Sequence, residues 1–149
     1  MNNKRKTSGL IIIGNEILSG KTLDTNSNYI TKELSVRGVD VKEISIIQDI
    51  ERNIINKVKL FSKNYNYVFT TGGIGPTHDD ITSESVAKAF DRKLIMNNEA
   101  KKLLEKHYNV NERTSARLKM AILPEKAKLI YNPVSVAPGF YVENVFVFP

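Results

Sequence analysis

The sequence predicts an α/β domain of three layers, in which a doubly wound, mostly parallel β-sheet lies between helices and a small β-hairpin section follows near the C-terminus. Three observations support this prediction. Short apolar runs alternate with segments of helical periodicity. The first run is apolar at every position, which is typical of a strand buried on both faces. The length of 149 residues suffices for one hydrophobic core, so residues 1–149 are interpreted as a single domain.

Predicted strands and helices alternate along the first two thirds of the chain. Each strand is an apolar or β-branched run, and each helix repeats its apolar residues at spacings of three and four. Gly38 lies where a helix end favours a residue with positive φ. In chain order, the predicted elements are strand 10–13, helix 29–34, strand 39–47, helix 50–61, strand 67–71 and helix 82–90.

The last third has shorter predicted elements. Glu143 and Asn144 form a two-residue connection between the last two strands, which predicts a tight hairpin turn. Pro149 follows the last strand directly, so we expect a domain truncated at its C-terminus. The predicted elements are strand 93–96, helices 99–108 and 111–121, and strands 128–131, 139–142 and 145–148.

The composition excludes several classes of site. The chain has no cysteine, which excludes disulfides, thiolate metal sites and cysteine nucleophiles, and its two histidines alone do not build a zinc site. No apolar stretch reaches the roughly 20 residues that span a bilayer, so we expect a cytoplasmic protein without a membrane partner. The net charge is +6, but the basic residues are scattered and no nucleic-acid-binding motif accompanies them, so a nucleic-acid partner is not expected.

Residues 67–82 carry the strongest chemical signal. A strand runs directly into Gly72, Gly73 and Gly75, and glycines at the carboxyl end of a strand let backbone N–H groups approach an anionic oxygen. The helix predicted to follow adds its positive N-terminus to the same point. The segment therefore predicts a cradle for a phosphate group. The alternative for the glycines is a tight turn without a ligand.

Asp79 and Asp80 lie beside this predicted cradle. Because a carboxylate repels a phosphate, it suits this place only if it binds a metal ion or accepts a proton from a hydroxyl or amino group. The alternative is that one of the two caps the helix that begins near Thr82. His78 is interpreted as a surface histidine, with a contact to phosphate as the alternative.

Further candidates are expected on the same edge of the sheet, because the carboxyl ends of parallel strands border one ligand crevice. Glu16 is a candidate acceptor for a sugar hydroxyl or a metal ligand, and otherwise an exposed loop carboxylate. Asp49 is a second candidate, and otherwise caps a helix. Residues 135–139 form another loop of small residues, for which an ordinary turn is the alternative.

Four stretches of the sequence resemble the motifs of one family. Residues 14–20 with 23–26 resemble G-D-E-L-L-x-G and D-T-N, residues 71–82 match T-G-G-L-G-P-T-x-D-D-x-T, residues 132–140 are similar to N-x-x-G-T-A-P-G-F, and Asp49 falls where the family has an aspartate after its second strand. The family is that of the molybdopterin-binding domains of MoaB, Mog and MoeA proteins. The resemblance is closest to the N-terminal domain of CinA proteins.

The resemblance implies roles for particular residues. Asp80 corresponds to the aspartate of a pterin-binding loop and Asp49 to an acidic residue used in adenylyl transfer or metal handling, so both are candidate catalytic residues. Asp80 and Asp79 are candidate ligands of a divalent metal such as Mg²⁺. The residues expected to bind molybdopterin or a nucleotide are Gly14, Glu16, Asp24, Asn26, Thr71, Gly72, Gly73, Gly75, Thr77, Thr82, Ser135, Pro138 and Gly139.

Two functions follow from the resemblance as hypotheses. The first is a metal-dependent nucleotide pyrophosphatase, a hydrolase that acts on ADP-ribose or FAD-like substrates. The alternative is a non-catalytic module that binds molybdopterin or a nucleotide in molybdenum cofactor metabolism. In both cases the partner is a phosphorylated small molecule, and the resemblance implies a homo-oligomer, either a dimer or a trimer.

The sequence departs from the family's motifs at three places. Asn15 replaces the usual aspartate, which removes one carboxylate from the mouth of the predicted site. Ser135-Val136 replaces Gly-Thr, and valine neither takes positive φ readily nor offers a hydroxyl. The family's final Pro-Gly-x-Pro segment is absent.

Overall fold

The structure is a computed structural model that describes residues 5–149. Its main β-sheet has six strands, which lie side by side in the order β2 (Val39–Ile47), β1 (Lys6–Ile13), β3 (Tyr67–Thr71), β8 (Val145–Phe148), β7 (Gly139–Val142) and β6 (Lys128–Ile130). A second, two-stranded antiparallel sheet pairs β4 (Leu94–Met96) with β5 (Ile122–Pro124).

Helices lie on both sides of the main sheet, which confirms the predicted α/β class. Within the described residues, no helix is long and apolar enough to cross a membrane. A single turn of 3-10 helix spans Val110–Glu112. The α-helices are α1 (Asn15–Leu18), α2 (Asn26–Val36), α3 (Glu51–Asn64), α4 (Thr82–Ala89), α5 (Asn98–His107) and α6 (Ser115–Lys119).

Five of the six strands run in the same direction. β1 pairs in parallel with β2 and β3, and β3 pairs in parallel with β8. β7 is antiparallel to both β8 and β6, so β6 runs the same way as the parallel strands. The carboxyl ends of β2, β1, β3, β8 and β6 therefore lie on one edge of the sheet, together with the start of β7.

The predicted hairpin is present, but it does not form a separate section. β7 and β8 are joined at Glu143-Asn144, and Glu143 has the positive φ of 50° that such a turn needs. β8 also pairs with β3, so the hairpin continues the main sheet. The physical reason is that both faces of β8 are apolar. Val145 and Val147 are buried on one face and Phe146 is half-buried on the other, which suits an interior strand.

The helix predicted over residues 111–121 is present only from Ser115 to Lys119. The chain forms the 3-10 turn, breaks, and begins α6 only at Ser115. Two local caps cause the break. The Asn109 and Glu112 side chains close a capping box around the 3-10 turn, and the Thr114 side chain accepts a hydrogen bond from the Arg117 amide. The residues that follow form β5, which the sequence pattern did not predict.

One face of the main sheet carries the larger hydrophobic core. Ile11, Ile13, Val68, Val145 and Val147 belong to a cluster of buried residues that also contains the apolar side of α3, namely Ile54, Val58 and Phe61. α3 packs closely here because β1 carries a glycine: a Cβ on Gly9 would lie 2.5 Å from the Phe61 ring. On the opposite face, a row of rings is only half-buried, with neighbouring centroids 5.2 to 6.5 Å apart: Tyr67, Phe69, Tyr141, Phe146 and Phe148.

Candidate functional site

The candidate site lies along the carboxyl edge of the main sheet, next to the residues that follow β2, β1, β3, β8 and β6 and that precede β7. In the order of the strands across the sheet, the residues at this edge are Asp49, Gly14, Gly72, Pro149, Gly139 and Asn132. The four sequence stretches with family resemblance are thus brought to one edge. This convergence follows from the strand directions, because only the ends of parallel strands and the start of the antiparallel strand meet there.

The loop that follows β3, residues 72–80, is called the cradle loop below. Two of its glycines have positive φ, 96° at Gly72 and 71° at Gly73. Each also stands where a side chain has no room. A Cβ on Gly72 would lie 2.1 Å from the Ile13 carbonyl oxygen, and a Cβ on Gly73 would lie 2.2 Å from the Thr82 hydroxyl. Glycine is therefore required at both positions for two independent reasons.

Thr82 fastens the cradle loop to α4. Its amide donates to the Gly73 carbonyl oxygen at 3.0 Å, and its hydroxyl donates to the Gly72 carbonyl oxygen at 2.9 Å. Thr82 is fully buried, as is nearly all of Thr71 at the end of β3. Thr82, predicted to bind the ligand, thus uses its hydroxyl to hold the backbone of the cradle loop.

The first half of the cradle loop leaves backbone donors open. Among residues 5–149, no acceptor receives the amide hydrogens of Gly73, Ile74 and Gly75. Pro76, which follows, has no amide hydrogen. The Ile74 side chain is buried in the core, so the backbone is held in place while its donors remain available. Consecutive amides of this kind favour an oxyanion.

The second half of the cradle loop is closed by Asp80. Its Oδ2 accepts hydrogen bonds from the Thr77 amide at 2.8 Å and from the Thr77 hydroxyl. Its Oδ1 accepts none from the described residues. The same carboxylate lies beside Gly75, where an added Cβ would be 2.7 Å from Oδ2. The alternative role as a helix cap is wrong for both aspartates, because the N-cap of α4 is Ile81 and no side chain caps it.

Asp79 is exposed next to this closed turn. The nearby Thr77 side chain lowers the pKa of Asp79, although the Thr77 hydroxyl itself donates to Asp80. The backbone amide of Asp79 and the charges of His78 and Lys119 lower this pKa further. Asp79 therefore stays ionised to a lower pH than an ordinary aspartate. His78 is exposed, as expected of a surface histidine.

Lys119 is a residue of this site that the sequence did not indicate. From the end of α6, its Nζ donates to the Thr77 carbonyl oxygen at 2.9 Å and to the Asp80 carbonyl oxygen at 3.1 Å. Lys119 is 42 residues from Thr77 and 39 residues from Asp80 along the chain. A lysine in a helical segment is ordinary, so no local signal could have revealed the contact.

Asp49 connects the ends of β2 and β1. Its Oδ2 accepts a hydrogen bond from the Asn15 amide at 2.9 Å. It does not cap α3, whose N-cap is Ile50 without a side-chain bond. Because Asn15 uses its backbone here, replacing the family's aspartate by asparagine leaves this link intact. The exposed Glu16 carboxylate lies against Gly14, where an added Cβ would be 2.5 Å from Oε1.

The beginning of α2 faces the last loop of the edge. Asp24 Oδ1 accepts a hydrogen bond from the Ser27 amide at 3.0 Å and so caps the first turn of α2. Asn26 lines a groove of about 530 Å³ together with Ser135, Gly139 and Pro149. Two stretches with family resemblance that are more than a hundred positions apart thus share one groove.

Residues 132–138, called the Asn132 loop below, are closed by their first residue. Asn132 Oδ1 accepts hydrogen bonds from the amides of Val134 at 3.0 Å and Ser135 at 3.2 Å. Its Nδ2 donates to the Ser135 hydroxyl at 2.7 Å and to the Ala137 carbonyl oxygen at 3.1 Å. Sequence reasoning did not select Asn132 as a site residue, although an asparagine before small residues is a known signal for such a turn.

Gly139 and Pro138 lie at the junction between the Asn132 loop and β7. A Cβ on Gly139 would lie 2.7 Å from the Val147 carbonyl oxygen, so glycine allows β7 to start close to β8. Pro138 lies on the other side of the loop, in a cavity that it shares with Lys106 and His107 of α5.

A metal ion at this edge would depend on few protein ligands. No cluster of three or more His, Cys, Asp or Glu residues that could hold a metal occurs between residues 5 and 149. Asp79 with its lowered pKa and the open Oδ1 of Asp80 nevertheless suit Mg²⁺, which usually binds one or two carboxylates and completes its shell with phosphate oxygens and water.

Comparison with known proteins identifies relatives over nearly the whole chain. A family profile described as a probable molybdopterin binding domain matches residues 9–149. A protein of Metallosphaera sedula is 42% identical over 137 residues, which is 90% of this chain and 52% of that protein. A CinA-like protein of Fusobacterium nucleatum is 36% identical over 143 residues, which is 95% of this chain and 36% of that protein. The chain thus spans about half the length, or less, of these relatives.

Solved structures resemble the fold to different degrees. The protein CinA of Thermoplasma acidophilum has a TM-score of 0.91 and 34% identity, and the match covers 97% of this chain and 88% of that one. The tungsten cofactor synthesizing protein MoaB of Pyrococcus furiosus has a TM-score of 0.59 and 25% identity, with 98% and 82% covered. The chain is therefore similar to CinA throughout and to MoaB in its overall arrangement.

Proposed function

From the premise that this chain belongs to the family of probable molybdopterin binding domains, we propose that the carboxyl edge of its sheet binds a phosphorylated nucleotide and hydrolyses its pyrophosphate bond. ADP-ribose and FAD-like molecules are the proposed substrates. One observation carries the proposal: the amides of Gly73, Ile74 and Gly75 have no acceptor among the described residues, while Thr82 and the buried Ile74 side chain hold this part of the loop. Such donors bind a phosphoryl oxygen and stabilise the negative charge that grows on it during attack.

The residues beside these amides supply the remaining parts of a hydrolytic site. The Asp80 carboxylate is oriented by Thr77 through Oδ2, and its Oδ1 is available to a ligand or a metal. Asp79 is ionised at neutral pH, and because its pKa is lowered it keeps its charge to a lower pH than an ordinary aspartate. A divalent metal such as Mg²⁺, held by these carboxylates, would polarise the phosphoryl oxygen and make bound water a stronger nucleophile. Asp49 stabilises the neighbouring loop through the Asn15 amide.

Turnover tests this proposal. The purified protein is incubated with ADP-ribose or FAD and Mg²⁺ or Mn²⁺, and the release of AMP is followed by chromatography. Asp80→Asn keeps an oxygen that can accept from Thr77 but removes the charge, so kcat should fall about 100-fold or more. The matched control is Asp91→Asn after α4, at a residue whose positive φ of 52° asparagine also tolerates. If ADP-ribose and FAD stay intact with both Mg²⁺ and Mn²⁺ while a longer relative cleaves them, hydrolysis by this protein is excluded.

A second candidate function is binding without turnover. The absence of a larger ligand cluster for a metal within residues 5–149 favours it, since the free amides alone suffice to hold the phosphate of a pterin. Calorimetry with molybdopterin or a stable pterin phosphate, and with ADP-ribose, separates the two functions. Pterin binding without nucleotide hydrolysis supports the binding module. Binding of neither ligand contradicts both functions.

A further inference from the structure

A groove with basic side chains borders the cradle loop. It lies between loop residues 76–78 and the segment 114–119. His78, Arg117 and Lys119 contribute its charged side chains, and none of the residues that line it is acidic. We call it the basic groove. The neighbouring crevice differs, because the acidic Asp80 and Glu84 line it. Ile74 and Gly75 of the cradle loop and Lys119 also line this crevice.

Lys119 belongs to both the loop and the groove. An ammonium group has three N–H donors, and two of those on Lys119 are used by the Thr77 and Asp80 carbonyl oxygens. These two bonds fix the position of Nζ and leave one donor. The positive charge is therefore held next to the cradle before any ligand arrives, so little side-chain entropy is lost when an anion binds.

Arg117 is also held in place. Its guanidinium lies 4.3 Å from the centre of the Tyr108 ring, and one of its nitrogens donates to the Glu112 carbonyl oxygen at 2.9 Å. The Glu112 carboxylate approaches the same nitrogen only to 3.9 Å, which is longer than a hydrogen bond. Since a guanidinium has five donors, Arg117 keeps most of them for a ligand.

Lys119 connects the basic groove with the free amides, because it lines both the groove and the crevice that Ile74 and Gly75 line. Only Pro76 separates Gly75 from Thr77, and two residues of chain span at most about 7 Å. We propose that the basic groove binds a second phosphoryl group of the ligand, so that the edge recognises a diphosphate, with the first group on the amides of Gly73 to Gly75. This inference rests on the proposed function, because it takes the first phosphoryl position from it.

Calorimetry with inorganic phosphate and with methylenediphosphonate, a diphosphate that is not hydrolysed, tests the inference. The wild-type protein should bind the diphosphate more tightly than phosphate. Arg117→Met should lower the affinity for the diphosphate about 10-fold, the effect of losing a charged hydrogen bond, and leave the affinity for phosphate within about twofold. His78→Ala should have a smaller effect in the same direction. Far-ultraviolet circular dichroism checks that the variants fold.

Lys63→Met is the matched control. It removes the same charge from the end of α3, which precedes β3 and therefore lies at the opposite edge of the sheet. It should bind both anions as the wild-type protein does, and an equal loss in this variant would mean that net charge alone is responsible and would overturn the inference. Equal wild-type affinities for the two anions, or an unchanged Arg117→Met variant, overturn the second position only. Binding of neither anion overturns the first position as well, and with it the proposed function.

Discussion

The cradle loop and the Asn132 loop both connect to the carboxyl edge of the sheet, and both are built from proline and small or polar residues. Their backbone amides are used differently. In the cradle loop, no described residue accepts from Gly73, Ile74 and Gly75. In the Asn132 loop, one side chain accepts from the amides of Val134 and Ser135. Whether such a loop can bind an anion therefore depends less on its composition than on whether it contains a side chain that takes up its donors.

Gly73→Ala should have the largest effect on ligand binding, because glycine at this position allows the backbone conformation that leaves the amides of the cradle loop free. The added Cβ meets the Thr82 hydroxyl at 2.2 Å and takes a φ of 71°, so the loop must move and its amides with it. We expect the affinity for ADP-ribose to fall about 100-fold, as when donors to an oxyanion are lost. Calorimetry measures this loss.

Gly38→Ala is the control for the first substitution. Gly38 has a similar φ of 78°, but nothing lies within 4 Å of an added Cβ. It should lose about 1 to 2 kcal/mol of unfolding free energy from the backbone strain alone, and bind ligand normally. Equal binding losses in the two variants would mean that general destabilisation, and not the position of the amides, explains the effect.

Asn132→Ala tests the role of the side chain that closes the Asn132 loop. It frees the amides of Val134 and Ser135, so the loop loses its internal order. Because these bonds are exposed, we expect a decrease of about 1 kcal/mol in the free energy of unfolding, measured with urea. Asn132→Asp keeps the accepting oxygen and should lose less. A loss of stability as large in the aspartate variant would contradict the role given to Oδ1.

Thr77→Val should have the smallest effect, confined to the closed half of the cradle loop. Removing the Thr77 hydroxyl takes one hydrogen bond from Asp80, and the pKa of the neighbouring Asp79 should rise towards the ordinary value of about 3.9. The lowered pKa stabilises the folded state at pH values above the ordinary one, and this contribution is lost as the pH falls through the folded-state value. Stability should therefore decline less with acidification in the variant.

An NMR titration of the Asp79 carboxyl measures this shift. His78→Ala should raise the pKa of Asp79 less than Thr77→Val, since the charge of His78 lowers it less than the Thr77 side chain does. The opposite order would show that the charge of His78, and not Thr77, governs this pKa.

All described strands except β5 could be predicted, because each contains a local apolar run, and β3 was predicted with its observed ends. The place of β8 could not be predicted. Its pairing with β3 joins Val68 to Val145, and nothing in either segment specifies a partner so distant. The two-residue connection Glu143-Asn144 predicted a hairpin. The apolar character of both faces of β8 explains why this hairpin lies inside the sheet.

The candidate site shows the same limit. The glycines of the cradle loop could be predicted because the residue type itself indicates positive φ or a close approach. The roles of Asp79 and Asp80 could not, since an aspartate before a helix suits a cap as well as a ligand site. Lys119 shows what sequence patterns miss, because its contact with Thr77 depends on where α6 packs and on nothing in its neighbourhood along the chain.

The position of β8 has a consequence for the order of folding. This strand comes after all the others in the sequence, yet in the sheet it lies between β3 and β7. During synthesis on the ribosome, one edge of β3 stays unpaired until β8 emerges, and an unpaired edge is open to wrong partners. Pairing between such distant segments is slow compared with helix formation. The loop that follows β3 should therefore reach its final shape as one of the last events of folding.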